Sequence, residues 1–238
     1  MEFRDVAGRK IRLPSLDRAE LVAGAPGLRG EFDLTRVAIT GSTSAGVTGE
    51  GSIAESVLSN LDLSGSRLAP LELSNVHLVD TELSNATLPA TTARRVHVEA
   101  SRGIGLHLVF RQASDVLAEG CRFDYATIEL ERVKQAVVFQ GCSFREAMFL
   151  GDLSTVAFVE CDLEGAEFAV RRAADCDLRS SNLRAVRGLR TLAGAKISTE
   201  QAVAIAVGLA TQTGLVVEDQ PAGTAPFPPG GTRHPGAT

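Results

Sequence analysis

The chain has 238 residues and a formal net charge of −5, and it contains ten Phe, one Tyr and no Trp. A domain of this size normally packs several large rings, so a core of narrow Leu, Val, Ala and Phe layers would explain the shortage. Abundant charges of both signs give no general attraction to nucleic acid. No apolar run approaches the roughly 20 residues of a membrane span, and the charged N-terminus lacks a secretory signal. We therefore expect a cytoplasmic protein without a membrane partner.

Residues 1–32 show only a weak pattern, and we expect an N-terminal arm or cap there. From residue 53 a large apolar residue recurs at every fifth position. A helix would show spacings of three and four, and a half-buried strand would alternate by two, so neither explains a period of five. We call these residues repeat centres. The first eight are Ile53, Leu58, Leu63, Leu68, Leu73, Leu78, Leu83 and Leu88.

Turn-forming residues stand two positions after most of these centres. They are Asn60, Gly65, Pro70, Asn75, Asp80 and Asn85. Each unit of the repeat therefore predicts a short extended piece followed by a turn. Four such units would close a four-sided coil, and the coils would stack about 4.8 Å apart, as hydrogen-bonded strands do.

The repeat slips once along the chain and then recovers. Centres Phe123 and Ile128 keep the original register, whereas Phe139, Phe144 and Phe149 come one residue late. One residue inserted before 139 and one removed after 149 would explain this, as a bulge and its compensation. We expect an irregular or narrow coil at 91–117, where the match is weakest. The register returns at Phe158, Leu163, Phe168, Leu178 and Leu183.

These units resemble the pentapeptide-repeat family, whose pattern is A-(D/N)-L-x-x. The matching stretches include LDLSG, TELSN, CRFDY, CSFRE, CDLEG and SNLRA. The resemblance implies an all-β solenoid, namely a right-handed quadrilateral β-helix of about eight coils over residues 33–197.

The remaining segments predict a C-terminal cap and a tail. Ser198 and Gln201 form a capping-box pattern, and a helix of about 15 residues should follow, ending near Gly214. Residues 198–217 would then comprise this capping α-helix and a short strand at 215–217. The apolar stripe of the helix is wider than that of a helix that packs on one side only. One part can cover the last coil and the other can bind a second copy, so we predict a homodimer through the C-terminal end with contacts at Ile205 and Leu209. Residues 218–238 are rich in Pro and Gly, which predicts disorder.

Two groups of side chains could carry chemistry. Cys121, Cys142 and Cys161 stand two residues before centres and should stack inward, which favours small buried filler over a thiol ladder for metal or redox chemistry. His77 and His97 should face outward on adjacent coils, and with no third ligand evident they favour solvent-facing histidines over a metal-binding or pH-sensitive pair. We predict no catalytic, cofactor or metal site, and therefore no cofactor and no enzyme.

The charges are unevenly distributed along the repeats. Either this distribution marks a functional surface, or the charges are ordinary solvated side chains. Acids dominate residues 53–92, and the bases of 168–197 are Arg171, Arg172, Arg179, Arg184, Arg187, Arg190 and Lys196. We therefore expect acidic N-terminal coils and basic C-terminal coils.

Two functional hypotheses follow. The first is a non-enzymatic scaffold that binds a protein partner through its flat faces or charged ends, with no direct nucleic-acid binding. The second is implied by the resemblance: some pentapeptide-repeat proteins imitate DNA, bind the type II topoisomerase gyrase, and inhibit it or protect it from drugs. Residues 51–197 carry 19 Asp and Glu against 16 Lys and Arg, which departs from the acidic surface of such mimics.

Overall fold

The computed structural model describes residues 2–24 and 27–218. The predicted disordered tail lies outside the described residues from 219 onward. The elements include one 3-10 helix, Leu189–Thr191, and one α-helix, α1, Thr199–Gln212. The strands are β1 Phe3–Val6, β2 Arg9–Arg12, β3 Val22–Ala23, β4 Gly30–Thr35, β5 Val37–Thr40, β6 Thr48–Ser59, β7 Arg67–Val79, β8 Thr87–Glu99, β9 His107–Glu119, β10 Thr127–Leu130, β11 Val137–Gln140, β12 Met148–Asp152, β13 Val156–Val159 and β14 Glu167–Arg172.

Parallel ladders between successive coils build the molecule. β7 and β8 pair Leu73 with Ala93 and Leu78 with Val98. Each centre thus pairs with the centre of the fourth unit after its own, which gives each coil four sides. One column of eight bridged residues runs along the stack, and the steps between them mark about seven turns. These residues are Thr43, Asp62, Glu82, Arg102, Arg122, Ser143, Asp162 and Asn182. The chain is thus an all-β, four-sided solenoid.

The repeat centres fill the interior of this solenoid. All eighteen centres named above, from Ile53 to Leu183, are buried. The interior changes along its axis, because Leu dominates the first coils and Phe the later ones. Phe144, Phe149, Phe158 and Phe168 are among the largest fully buried side chains. They stack or meet edge to face along the axis, which is how aromatic rings pair favourably.

Left-handed backbone conformations form most of the corners. Asn60, Gly65 and Asn75 have φ values of 52°, 63° and 56°, in the region that Gly and Asn tolerate best. Asp80 and Asn85 are also left-handed, so these turn positions predicted from the sequence are turns. Pro70 differs, since its corner contains a cis Ala69–Pro70 bond instead of a left-handed residue.

The register slip predicted from the sequence is confirmed by the ladders. Val133 bridges Ala113, which is the regular interval between coils. Val137 instead pairs with Val116, an interval that is longer by one residue. The extra residue therefore lies between 133 and 137. The compensation follows at Gly151, where the register of β12 against β14 shifts.

The coil at 91–117 is more regular than expected. β8 and β9 pair along Thr92 to Glu99, and their register shifts are confined to residues 88–92. The expectation of an irregular coil is therefore wrong past that corner. Larger neighbours fill the space beside the small residues of this coil. A β-carbon on Gly103 would lie 2.9 Å from Cδ1 of Phe123, so the Phe123 ring occupies that space.

The C-terminal helix confirms the predicted capping box. The Ser198 side chain accepts the Gln201 backbone N–H, and the Gln201 side chain accepts the Ser198 N–H. The Gln201 amide also donates to the backbone oxygens of Leu178 and Ser181, both at 2.6 Å, which fastens α1 to the last coil. Residues 215–217, where a short strand was expected, form no strand in the described part of the chain.

Truncation of one central ring should measure how much the aromatic stack contributes to stability. Phe144 is fully buried, and its ring centroid lies 5.4 Å from that of Phe123 and 5.1 Å from that of Phe139. Phe144→Ala should lower the free energy of unfolding by about 3–5 kcal/mol, because it leaves a cavity between packed layers. Urea denaturation followed by circular dichroism measures this.

The matched control is Tyr125→Ala, which removes an aromatic ring that is 65% exposed. It should leave the denaturation midpoint almost unchanged. Equal shifts for the two variants would contradict the layered core.

Candidate functional surfaces

An N-terminal hairpin covers one side of the solenoid. β1 and β2 pair antiparallel, and Val6, Ile11 and Leu13 pack in a separate apolar cluster against the outer face of the coils. That face presents Leu117, Val138 and Ala157, which are buried although they point away from the solenoid interior. The hairpin therefore gives the molecule a second, smaller core.

Polar contacts fix the hairpin at three points, two on one coil and one on a later coil. Arg4 Nη1 donates to Glu119 Oε2 at 2.6 Å, and the Arg12 N–H donates to an Asp115 carboxylate oxygen at 3.1 Å. Arg9 donates to the backbone oxygen of Asp175. The weak pattern of residues 1–32 predicted an arm or cap but none of these contacts. The signal that could have revealed them was the run of apolar residues at outward positions 117, 138 and 157.

The two histidines lie on the same side, one and two coils before this apolar cluster. His77 pairs with His97 in the β7–β8 ladder, and their rings stack with centroids 4.6 Å apart and planes 3° from parallel. They are not simply solvent-facing: their side chains are 17% and 13% exposed. Burial, and then the neighbouring His97, lower the pKa of His77.

Carboxylates hold both rings. His77 Nε2 lies 3.2 Å from Glu99 Oε2, and His97 Nε2 lies 2.7 Å from Glu119 Oε2. No third candidate ligand beside the histidines was evident in the sequence, whereas in the structure the Glu99 carboxylate lies beside His77. Strand alternation places residues 97 and 99 on the same face, but the contact of Glu99 with His77 spans two coils and depends on how the coils stack.

A cavity of about 600 Å³ opens above the histidine pair. The segment after the hairpin, with Leu13, Pro14, Ser15 and Leu16, forms one wall. Charged side chains line it as well, namely Glu2, Arg4 and Arg18. The stacked rings thus lie between the solenoid and the N-terminal segment, accessible through this cavity.

The cysteines lie in the interior, as predicted. Cys121, Cys142, Cys161 and Cys176 are all buried and free. The thiols have hydrogen-bonding partners, since Cys121 Sγ approaches the Glu119 backbone oxygen at 3.2 Å and Cys161 Sγ that of Phe139 at 3.3 Å. Burial, and then the nearby Asp177, raise the pKa of Cys176 to about 12. All four thiols are shielded from solvent by burial, which fits filler better than metal ligands or redox groups.

Most bases of the C-terminal coils lie in ion pairs, so acids of neighbouring coils partly compensate the predicted excess of bases. Five of the seven bases of that region make ion pairs. Arg187, for example, lies 3.3 Å from both Glu146 and Glu167. Stacking places acids from one or two coils earlier beside four of these bases, whereas Arg179 pairs with Asp177 of its own coil.

Apolar side chains are exposed on the C-terminal helix. Val203 and Val207 are 74% and 59% exposed, and Leu209 is 42% exposed. Ile205 instead is half-buried against the solenoid core. Of the two predicted dimer contacts, Leu209 is thus on the open face, whereas Ile205 helps to close the last coil.

The geometry defines the class of protein: the chain is a four-sided β-solenoid built from pentapeptide repeats. No helix in the described part of the chain is long and apolar enough to cross a membrane.

The chain resembles known proteins in structure only. No protein-family model matches it, and no curated protein matches it in sequence. Among solved structures it is similar to QnrB1, a plasmid-mediated fluoroquinolone resistance protein, at 19% identity over 83% of this chain and 98% of that chain, with a TM-score of 0.47.

Two cyanobacterial structures are further matches. HetL from Nostoc, a pentapeptide repeat protein involved in heterocyst differentiation regulation, is 16% identical over 71% of this chain and 89% of that chain, with a TM-score of 0.32. Rfr23 from Cyanothece, also a pentapeptide repeat protein, is 21% identical over 62% of this chain and 60% of that chain, with a TM-score of 0.18.

The buried thiols give a direct test of the interior. In native protein, Cys121, Cys142, Cys161 and Cys176 should react with a thiol reagent only over hours, since burial shields each thiol from the reagent. Mass spectrometry after timed labelling measures this, and all four should react at once in denaturant. Fast labelling of any of them in native protein would contradict the inward stacking.

Proposed function

We propose that the protein is a non-enzymatic scaffold that binds protein, and that it works as a homodimer joined at its C-terminal end. One observation carries this proposal. Of the eleven large apolar side chains exposed among the described residues, seven lie between 197 and 217. Exposed apolar side chains concentrated in one place are typical of protein-binding surfaces. They are Ile197, Val203, Val207, Leu209, Leu215, Val216 and Val217.

The C-terminal helix has two distinct sides. Gln201 and Ile205 face the last coil, where they close the open end of the solenoid. Val203 and Val207 lie on the other side and expose most of their surface. A second copy of the chain offers the same apolar side, so a symmetric pair of helices would bury both at once.

The sides of the solenoid suit recognition better than chemistry. Regular ladders fix the outward side chains in rows, and many of the charged groups of the later coils are engaged with each other. Asp124 is an example: desolvation raises its pKa, but hydrogen bonds from Ser143, Arg122 and the Arg145 N–H outweigh this and lower it. A carboxylate held in this way is a fixed surface feature instead of a free acid or base. The four free thiols would also suit a reducing compartment such as the cytoplasm.

Light scattering tests the dimer. The wild-type protein should show twice the chain mass at micromolar concentration, and Val203→Glu with Val207→Glu should halve it, because paired carboxylates would face each other across the interface. Both side chains are exposed, so the solenoid should keep its fold.

The matched control is Val22→Glu, which changes a valine that is 66% exposed at the other end of the chain. It should remain dimeric. A wild-type monomer, or dissociation by the control as well, would contradict the C-terminal interface.

The DNA-mimic hypothesis makes a separate prediction. Imitation of DNA needs a continuous row of unpaired acids for a basic partner, whereas Arg145 here pairs with Asp162 and Glu164 and interrupts such a row. Gyrase supercoiling should therefore be unaffected at micromolar protein. Sub-micromolar inhibition that weakens when Glu72 and Asp80 are changed to Gln and Asn would favour the mimic over the scaffold.

A further inference from the structure

We propose that His77, His97 and Glu99 bind one divalent transition-metal ion, with Zn²⁺ as its typical form, between two coils of the solenoid. Each of the three residues places a ligand atom within 4.8 Å of the other two. This site is independent of the C-terminal dimer, and it reverses the prediction from the sequence that no metal is bound.

The solenoid fixes the two histidines in place. They are paired residues in a ladder that continues on both sides, from Val76 opposite Val96 to Leu78 opposite Val98. Their spacing is therefore set by the hydrogen bonds between the coils. Zinc bonds of about 2.0–2.1 Å place tetrahedral ligand atoms about 3.4 Å apart. The three ligand atoms lie within 4.8 Å of one another, so side-chain rotation would have to bring them closer together around the ion.

A second carboxylate supports the ring of His97. Glu119 Oε2 lies 2.7 Å from His97 Nε2, and Arg4 Nη1 holds the same oxygen at 2.6 Å. Metal-bound histidines commonly bind a carboxylate through one ring nitrogen, which orients the other nitrogen towards the metal. The N-terminal hairpin, which carries Arg4, thereby takes part in forming the site.

The charges around the site accept a divalent cation. Glu2, Glu99 and Glu119 face the histidines or their cavity, against the guanidinium groups of Arg4 and Arg18. Arg4 is engaged with Glu119, so its charge is compensated at short range. The three carboxylates exceed the two guanidinium groups by one negative charge.

The ligand set determines the class of metal. Two imidazoles and one carboxylate suit Zn²⁺, Cu²⁺ or Ni²⁺, whereas Mg²⁺ and Ca²⁺ prefer oxygen ligands alone. Three protein ligands leave the fourth position of a tetrahedral ion open. That position would face the cavity of about 600 Å³ and take water or a small anionic ligand.

Calorimetric titration of the full-length protein with Zn²⁺ tests the proposal. We expect one Zn²⁺ per chain, and at least tenfold weaker binding by His77→Ala, His97→Ala and Glu99→Gln. His107→Ala is the matched control, because His107 pairs with Thr87 and Thr127 on a different side of the coil. It should bind Zn²⁺ like the wild type. Circular dichroism of each variant checks that the solenoid is intact.

Substitution with Co²⁺ identifies the donor atoms. Visible bands without thiolate charge-transfer absorption would support imidazole and carboxylate ligands. Thiolate bands would assign the metal to the cysteines and overturn the proposal. Absence of stoichiometric Zn²⁺ binding by the wild type, or equal loss in His107→Ala, would overturn it as well.

Discussion

The backbone hydrogen bonds between successive coils are the constraint on which the rest of the structure depends. They recur once in every coil, so each residue meets its counterpart in the next coil at the spacing of paired strands. Columns of like positions follow from this: apolar centres form a continuous core, and outward residues form rows. The stacked histidines, the engaged surface charges and the apolar column under the hairpin are all consequences of this one repeat.

The same constraint explains why the solenoid could be predicted from its sequence. A period of five is a local property, visible in Leu63, Leu68 and Leu73 without knowledge of any distant contact. Even the register slip was readable, because Phe139 comes one residue late and Phe158 comes back into step. The ladders place the insertion and its compensation where the spacing of the centres indicated.

Contacts outside the repeat were harder to predict, for physical reasons. The hairpin at 3–12 has no repeat of its own, and its place depends on side chains far along the chain, such as Glu119 for Arg4. Glu99 contacts His77 only because a side chain reaches from one coil to the next. Ile205 was assigned to the exposed side of its helix, since the apolar stripe surrounds so much of α1 that periodicity alone does not show which part faces the coil.

The docked hairpin changes how the molecule can assemble. In a simple solenoid each coil contacts only its neighbours, so folding can spread from one coil to the next in the order of synthesis. Here residues 4 and 9 contact residues 119 and 175. The hairpin, which precedes the coils in the chain, therefore finds its binding surface only after most coils have formed. Once bound, it ties several coils into one cooperative unit, which a row of repeats joined only end to end would lack.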